Sequence, residues 1–258
     1  MYMPAMSIFQ PESSLVAEVV PSPNHDERQD NRAPDIILLH YTGMQDTQEA
    51  LNRLCSPEGK VSSHYFVFED GRIVQSVQES RRAWHAGESQ WAGESDINSS
   101  SIGIEIANPG HDFGYPDFPS RQIAAVIALC RGIIARRGIK PDRVLAHSDV
   151  APSRKRDPGE KFPWRLLADS GVGEWVTPSH ITDKSPGLAL GQEGDKVRGL
   201  QIALADFGYG IPVTGRFDET TRDVVTAFQR HFRPAKVDGI ADGSTQRTLH
   251  KMLERRRW

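Results

Sequence analysis

Three side chains in this 258-residue sequence have the types and spacing to bind a metal ion. The apolar run at 35–40, DIILLH, closes on His40. A second run at 144–147, VLAH, closes on His147, and Asp157 follows ten residues later. A catalytic zinc site needs three protein ligands and one position left open for water, and two imidazoles with a carboxylate make a valid set. Imidazoles at strand ends are held by the backbone, so ordering the site costs little. Spacing alone leaves a second reading open, because many strand-end histidines are satisfied core or turn residues.

The elements that must position these groups follow from periodicity. Residues 35–40 and 144–147 read as short buried strands, each ending at its histidine. Residues 62–69 alternate as a strand, Asp70-Gly71 is a hairpin turn, and 72–77 returns. In 101–106 the isoleucines share one face and Glu105 lies on the other. Residues 45–54 fit a helix with Ala50, Leu51 and Leu54 inward. The clearest helix is 122–137, whose apolar residues fall at helical spacing before Gly138, with Cys130 on the core side as a small hydrophobe. Interleaved strands and helices predict an α/β domain, a mixed central sheet flanked by helices, over 35–169. Residues 1–34, with five prolines, read as an extended arm wrapped on that domain or partly disordered. Residues 170–187, rich in Gly, Pro and Ser, read as a linker. A small all-α domain is expected at 188–258, with helices at 195–207, 218–230 and 244–253. It holds none of the candidate catalytic residues, so the chemistry is expected to survive truncation after about Gly187, provided the tail does not pack over the cleft.

Composition narrows the partners. Thirty-one basic residues against 34 acidic ones leave a net charge of -3, without the basic excess that nucleic acid would ask for. The longest apolar run near the N-terminus, 15–20, is broken by Glu18 and is too short for a membrane span. No signal-peptide pattern is visible. Cys55 and Cys130 form no CxxC motif and exclude a disulfide framework. The expected oligomeric state is a monomer, which the sequence does not fix.

Six motifs stand in order: SPN (22–24), LLHYT (38–42), VSSHYFVFEDGRIVQ (61–75), AWHAG (83–87), SIGIEIAN (101–108) and HSDVAPSRKRDPG (147–159). Over about residues 21–167 the chain thereby resembles the zinc-dependent type-2 N-acetylmuramoyl-L-alanine amidases, bacterial murein hydrolases related to animal peptidoglycan recognition proteins. GQEGDKVRGLQIAL (191–204), TGRFDETTRDVVTAFQ (214–229) and VDGIADGSTQRTL (237–249) resemble the three-helix peptidoglycan-binding domain. The resemblance implies one Zn2+ held by His40, His147 and Asp157. It also implies a catalytic carboxylate at Glu105 and a basic group, Lys155, beside the metal. His64, His85, Asn108 and Arg154 match positions that line or support the cleft, and for His64 and His85 a packing or metal-supporting role competes with substrate contact. Trp84 and Trp164 read as core and cleft-wall aromatics. His25, His111, His180, His231 and His250 read as surface residues. Ser153 departs from the family's APGRK pattern, where many relatives carry Gly.

The implied reaction is hydrolysis of the amide between N-acetylmuramic acid, or its 1,6-anhydro form, and L-alanine, in peptidoglycan or muropeptides. A non-catalytic peptidoglycan-recognition protein is the alternative, disfavoured because all three ligands, Glu105 and Lys155 are present. Two compartments are compatible with this reading: the cytoplasm, from the missing signal peptide, and the periplasm or cell envelope, from the wall-binding tail.

Overall fold

The computed structural model describes residues 9–181 and 186–256; the first eight residues of the arm, four linker residues and the last two residues lie outside it. Its elements in chain order are β1 (Val16–Val19), β2 (His25–Glu27), β3 (Ile36–Tyr41), α1 (Thr47–Cys55), β4 (Tyr65–Val67), β5 (Ile73–Gln75) and β6 (Arg81–Ala83). There follow α2 (Ile97–Ser100), β7 (Ser101–Ile106), α3 (Ser120–Arg137), β8 (Val144–Ala146), α4 (His147–Val150) and α5 (Trp164–Asp169). The C-terminal helices are α6 (Asp195–Phe207), α7 (Glu219–Phe232) and α8 (Gly243–Arg256). Among the described residues no helix is long and apolar enough to cross a membrane.

Six strands form one mixed sheet in the order β1-β5-β4-β7-β3-β8. The β4–β5 hairpin is antiparallel and every other pair is parallel. The period of two divides the sheet's faces. Ile37, Leu39, Ile102, Ile104 and Ile106 pack with Ile123, Val126, Cys130 and Ile133 of α3. The opposite face carries Ile36, Leu38, His40, Gly103 and Glu105, and it is covered unevenly. Phe66 meets Ala50, Leu51 and Leu54 of α1, whereas Ile36 and Leu38 join a cluster with Trp91 and Ile97. The cleft opens between these two covers, at the carboxyl ends of parallel strands where open α/β sheets bind ligands.

The arm and the linker both pack on their neighbours. The arm supplies β1, a parallel edge strand on β5, and β2, which pairs antiparallel with β6. Its SPN segment is buried. Ser22 donates to Leu54 O at 2.5 Å, and Asn24 Nδ2 donates to Ser56 O and Val61 O, each at 2.8 Å, pinning the end of α1 beside the cleft. The linker's described part is also docked: Val172 is buried, Ser179 N donates to Thr248 Oγ1 at 3.0 Å, and Glu174 pairs with Arg256.

The three C-terminal helices do not hang on a tether. Their apolar residues, among them Val197, Leu204, Phe207, Val224, Phe228 and Met252, share one cluster with Trp91, Val150 and Ala151 of the sheet domain. Trp91 packs on Tyr209 with ring centroids 5.1 Å apart, and Ala92 N donates to Gly208 O at 2.7 Å. A prolyl- and glycyl-rich composition marks where a chain bends, not whether the bend is covered.

Candidate active site

Parallel pairing aligns His40 with Glu105, so both side chains leave the same face of the sheet at the ends of β3 and β7. His147 stands one strand away, where β8 gives way to α4, so it opens a helical turn instead of closing the strand. The loop after α4 returns Asp157 to the two imidazoles. His40 Nδ1 and His147 Nδ1 are 2.8 Å apart, and Asp157 Oδ2 lies 3.2 Å from the first and 2.9 Å from the second. All three residues are buried, and one donor atom from each lies within 4.8 Å of the others, a group that could hold a metal ion.

Hydrogen bonding fixes which imidazole nitrogen faces this point. His147 Nε2 must donate to the Ala86 carbonyl at 3.0 Å, because a carbonyl only accepts; Nδ1 is thereby left with its lone pair. His40 is set through a relay. The Ser101 hydroxyl donates to Ile97 O and so accepts from His85 Nε2–H at 3.4 Å. His85 Nδ1 then accepts from His40 Nε2–H at 3.0 Å, which leaves His40 Nδ1 bare. Such outer partners fix the tautomer and ring angle of ligand histidines. His85 is held in turn, since its amide and that of Ala86 donate to Asn98 Oδ1 at 2.9 and 2.8 Å. Gly103 makes room for the ring: a Cβ there would lie 2.6 Å from His85.

Electrostatics follow the burial. Burial, then the neighbouring His147, pushes the His40 imidazole down to about 4, so it is neutral at neutral pH. Burial alone would raise the Asp157 carboxyl, but the His147 and His40 imidazoles outweigh it and hold Asp157 well below the usual carboxylate range. Glu105 goes the other way: burial, reinforced by Asp157 and opposed by Lys155, raises it well above the ordinary carboxylate value. Its Oε2 is buried and has no hydrogen-bond partner among the described residues. Glu105, Lys155 and Arg154 line the same cleft as His40, His147 and Asp157.

The sequence-predicted cleft residues divide. His85 and Arg154 line the cleft, and Arg154 Nη2 donates to Ala86 O at 3.2 Å. His64 and Asn108 are not among the side chains that line it, and both brace the structure around it. His64 is fully buried beneath His85; its Nδ1 accepts from Gly103 N at 2.9 Å and its Nε2 donates to Arg81 O at 3.0 Å. Burial and then the buried Arg28 hold the His64 imidazole down to about 3. Asn108 bridges two loops, donating to Pro116 O at 3.0 Å and accepting from Gly110 N at 2.9 Å. Trp164 is core, stacked on His231, and not cleft wall. Trp84 does line the cleft.

Sequence reasoning missed three supports. Tyr115 donates through its hydroxyl to Pro158 O at 2.7 Å and accepts from Lys161 N at 3.0 Å, clamping the loop just past Asp157. Asp149 is fully buried two residues after His147. His231, expected at the surface, is buried against it. An acidic residue three positions into a helical turn is a visible capping signal for Asp149, and His231 follows Val224 and Phe228 at helical spacing, a signal of burial that does not name its partner.

A family model described as N-acetylmuramoyl-L-alanine amidase matches residues 30–160, and one for a peptidoglycan binding domain matches 193–249. The chain is 39% identical to the N-acetylmuramoyl-L-alanine amidase AmiD of Escherichia coli over 235 residues, 85% of this chain and 82% of that one. It is 36% identical to the 1,6-anhydro-N-acetylmuramyl-L-alanine amidase AmpD of Escherichia coli over 57% of this chain and 88% of that one. The structure of AmiD in complex with anhydro-N-acetylmuramic acid-L-Ala-D-gamma-Glu-L-Lys superposes with a TM-score of 0.73 and 37% identity, covering 87% of this chain and 90% of that one. AmpDH3 of Pseudomonas aeruginosa superposes with a TM-score of 0.74 and 31% identity, covering 88% and 94%. With its sheet domain and its three-helix tail both matched in order, the chain belongs to the N-acetylmuramoyl-L-alanine amidase family.

Proposed function

We propose that the chain hydrolyses the amide joining the lactyl group of N-acetylmuramic acid, or its 1,6-anhydro form, to L-alanine, with zinc held by His40, His147 and Asp157. The observation that carries this reading is the convergence of two Nδ1 atoms and a carboxylate oxygen in the cleft that Glu105 also lines, its buried Oε2 having no hydrogen-bond partner among the described residues. The donor set fits the metal. Two imidazoles and one carboxylate are a catalytic zinc set with a position to spare, and both far nitrogens already have acceptors. Bound zinc supplies Lewis acidity and a water acidic near neutral pH.

The protein's own groups do the rest. Glu105 takes the proton from water as its oxygen attacks the lactyl carbonyl carbon. It then delivers that proton to the alanine nitrogen as the C–N bond breaks, giving a carboxylic acid and an amine. A carboxyl raised by burial is suited to both halves of that exchange. Lys155 faces the carbonyl oxygen and stabilises the negative charge that develops there. His85 and Arg154 shape the cleft beside them. The match of the tail to a peptidoglycan binding domain favours polymeric murein as substrate and the cell envelope as site of action, which fractionation of the native host tests.

The reading is tested by incubating the protein with an anhydromuropeptide and identifying products by mass spectrometry, alongside metal analysis. The expected outcome is free anhydro-N-acetylmuramic acid plus an intact peptide beginning at L-alanine, one zinc per chain, and loss of turnover with a chelator. Cleavage at any other bond, or full activity in metal-free protein, would refute it.

A further inference from the structure

Asp149 is fully buried and its carboxylate has three partners. As the third residue of α4 it reaches back to accept from Ala146 N at 2.8 Å, one half of a capping box. The other two partners belong to the C-terminal domain. Tyr209 donates its hydroxyl to Oδ1 at 2.8 Å, and His231 Nδ1–H donates to Oδ2 at 2.6 Å. Both donors are themselves fixed. The His231 ring is wedged between Trp164 and Phe232 at centroid distances of 3.7 and 3.8 Å, and Tyr209 packs edge-on against Trp91.

The turn so anchored carries His147 as its first residue, with Ala151 N donating to His147 O at 3.0 Å. The next amide, Ser148 N, donates to the backbone carbonyl of Asp157 at 3.0 Å. Whatever places α4 therefore places two of the three residues that meet at the cleft floor. A buried carboxylate is costly unless its lone pairs are satisfied, and two of the three groups that satisfy this one come from a domain whose family match concerns wall binding.

We infer that Tyr209 and His231 of the C-terminal domain are positioning residues for the metal site, acting through Asp149 on the turn that holds His147 and, through the Ser148–Asp157 backbone bond, on Asp157. Neither touches the cleft; their effect is on ligand placement. The inference rests on the zinc reading above and predicts something that reading does not: metal affinity depends on side chains outside the amidase domain.

The test measures the zinc dissociation constant of the full chain by competition with a chromophoric chelator, with near-ultraviolet circular dichroism as a check on folding. Tyr209→Phe, which keeps the ring and loses only the hydroxyl, and His231→Leu are expected to weaken zinc binding by about 10- to 100-fold while remaining folded. At saturating zinc, kcat returns with KM unchanged. His231→Asn, which keeps a donor near the Nδ1 position, is expected to recover most of the affinity. Glu174→Gln weakens the pair between the linker and Arg256 of the tail and is expected to lower the unfolding temperature without moving zinc affinity. If Tyr209→Phe and His231→Leu bind zinc within about two-fold of the parent, or if Glu174→Gln weakens it as much as they do, the inference fails while the zinc reading stands. A parent protein that binds no zinc would overturn the zinc reading first.

Discussion

Glu105 shows the tension between stability and chemistry at a single side chain. It sits on a sheet face among apolar and imidazole groups, with one oxygen buried and without a hydrogen-bond partner among the described residues, and its carboxyl is raised well above the usual value near 4.5. In the metal-free protein such a group binds a proton that the unfolded chain has already released. Stability should therefore fall as pH rises above about 4.5, since the unfolded state then binds fewer protons than the native one. Glu105→Gln removes that loss. Metal-free Glu105→Gln is expected to melt with the parent at pH 4 and above it at pH 7, while zinc-loaded Glu105→Gln loses at least about 100-fold in turnover. Equal melting temperatures across that range, or near-parental turnover, would show that Glu105 is an ordinary strand carboxylate. Lys155→Ala is expected to lower kcat more than it raises KM, because the lysine acts on charge present only in the transition state.

At the scale of an element, β7 does three jobs with one alternating pattern. Ile102, Ile104 and Ile106 bind it to α3, Glu105 faces the cleft, and Gly103 lets His85 lie against the strand. The glycine is required by that approach and not by its backbone angles. Gly103→Ala places a methyl group 2.6 Å from the His85 ring, and a buried strand paired on both sides has little freedom to retreat. Overpacking of this kind costs about 1–3 kcal/mol. Because His85 orients His40, the variant is expected to weaken zinc binding as well as melting at lower temperature. Thermal unfolding and chelator competition measured on the same sample check this; lost stability with unchanged zinc affinity would mean that His85 does not set the ligand's angle.

Across the whole molecule, the two sequence-defined domains meet in one apolar cluster. Trp91, Val150 and Ala151 are buried in a cluster completed by Phe207, Phe228 and Phe232. Truncation after Gly187 would expose that surface and strip Asp149 of two hydrogen-bond donors. The full chain is expected to unfold in a single calorimetric transition. The truncated form, if it folds, is expected to melt well below it, since opening an apolar interface forfeits about 25 cal/mol per Å² of area returned to water. Two resolved transitions, with the truncated protein matching the first, would show that the domains are energetically independent.

The alternating faces of the strands, the amphipathic helices and the order of motifs bearing His40, His147, Asp157, Glu105 and Lys155 are all legible in the amino-acid order alone. Periodicity and short-range spacing are local properties, legible wherever burial repeats every two or every 3.6 residues. What each polar group bonds to emerges on folding. Folding made His64 and Asn108 internal braces, turned the arm into two strands, and brought Tyr209 and His231 to Asp149 across 60 and 82 residues of sequence. Those pairings leave no periodic trace, because a buried hydrogen bond depends on where two distant surfaces meet and not on the neighbours of either residue.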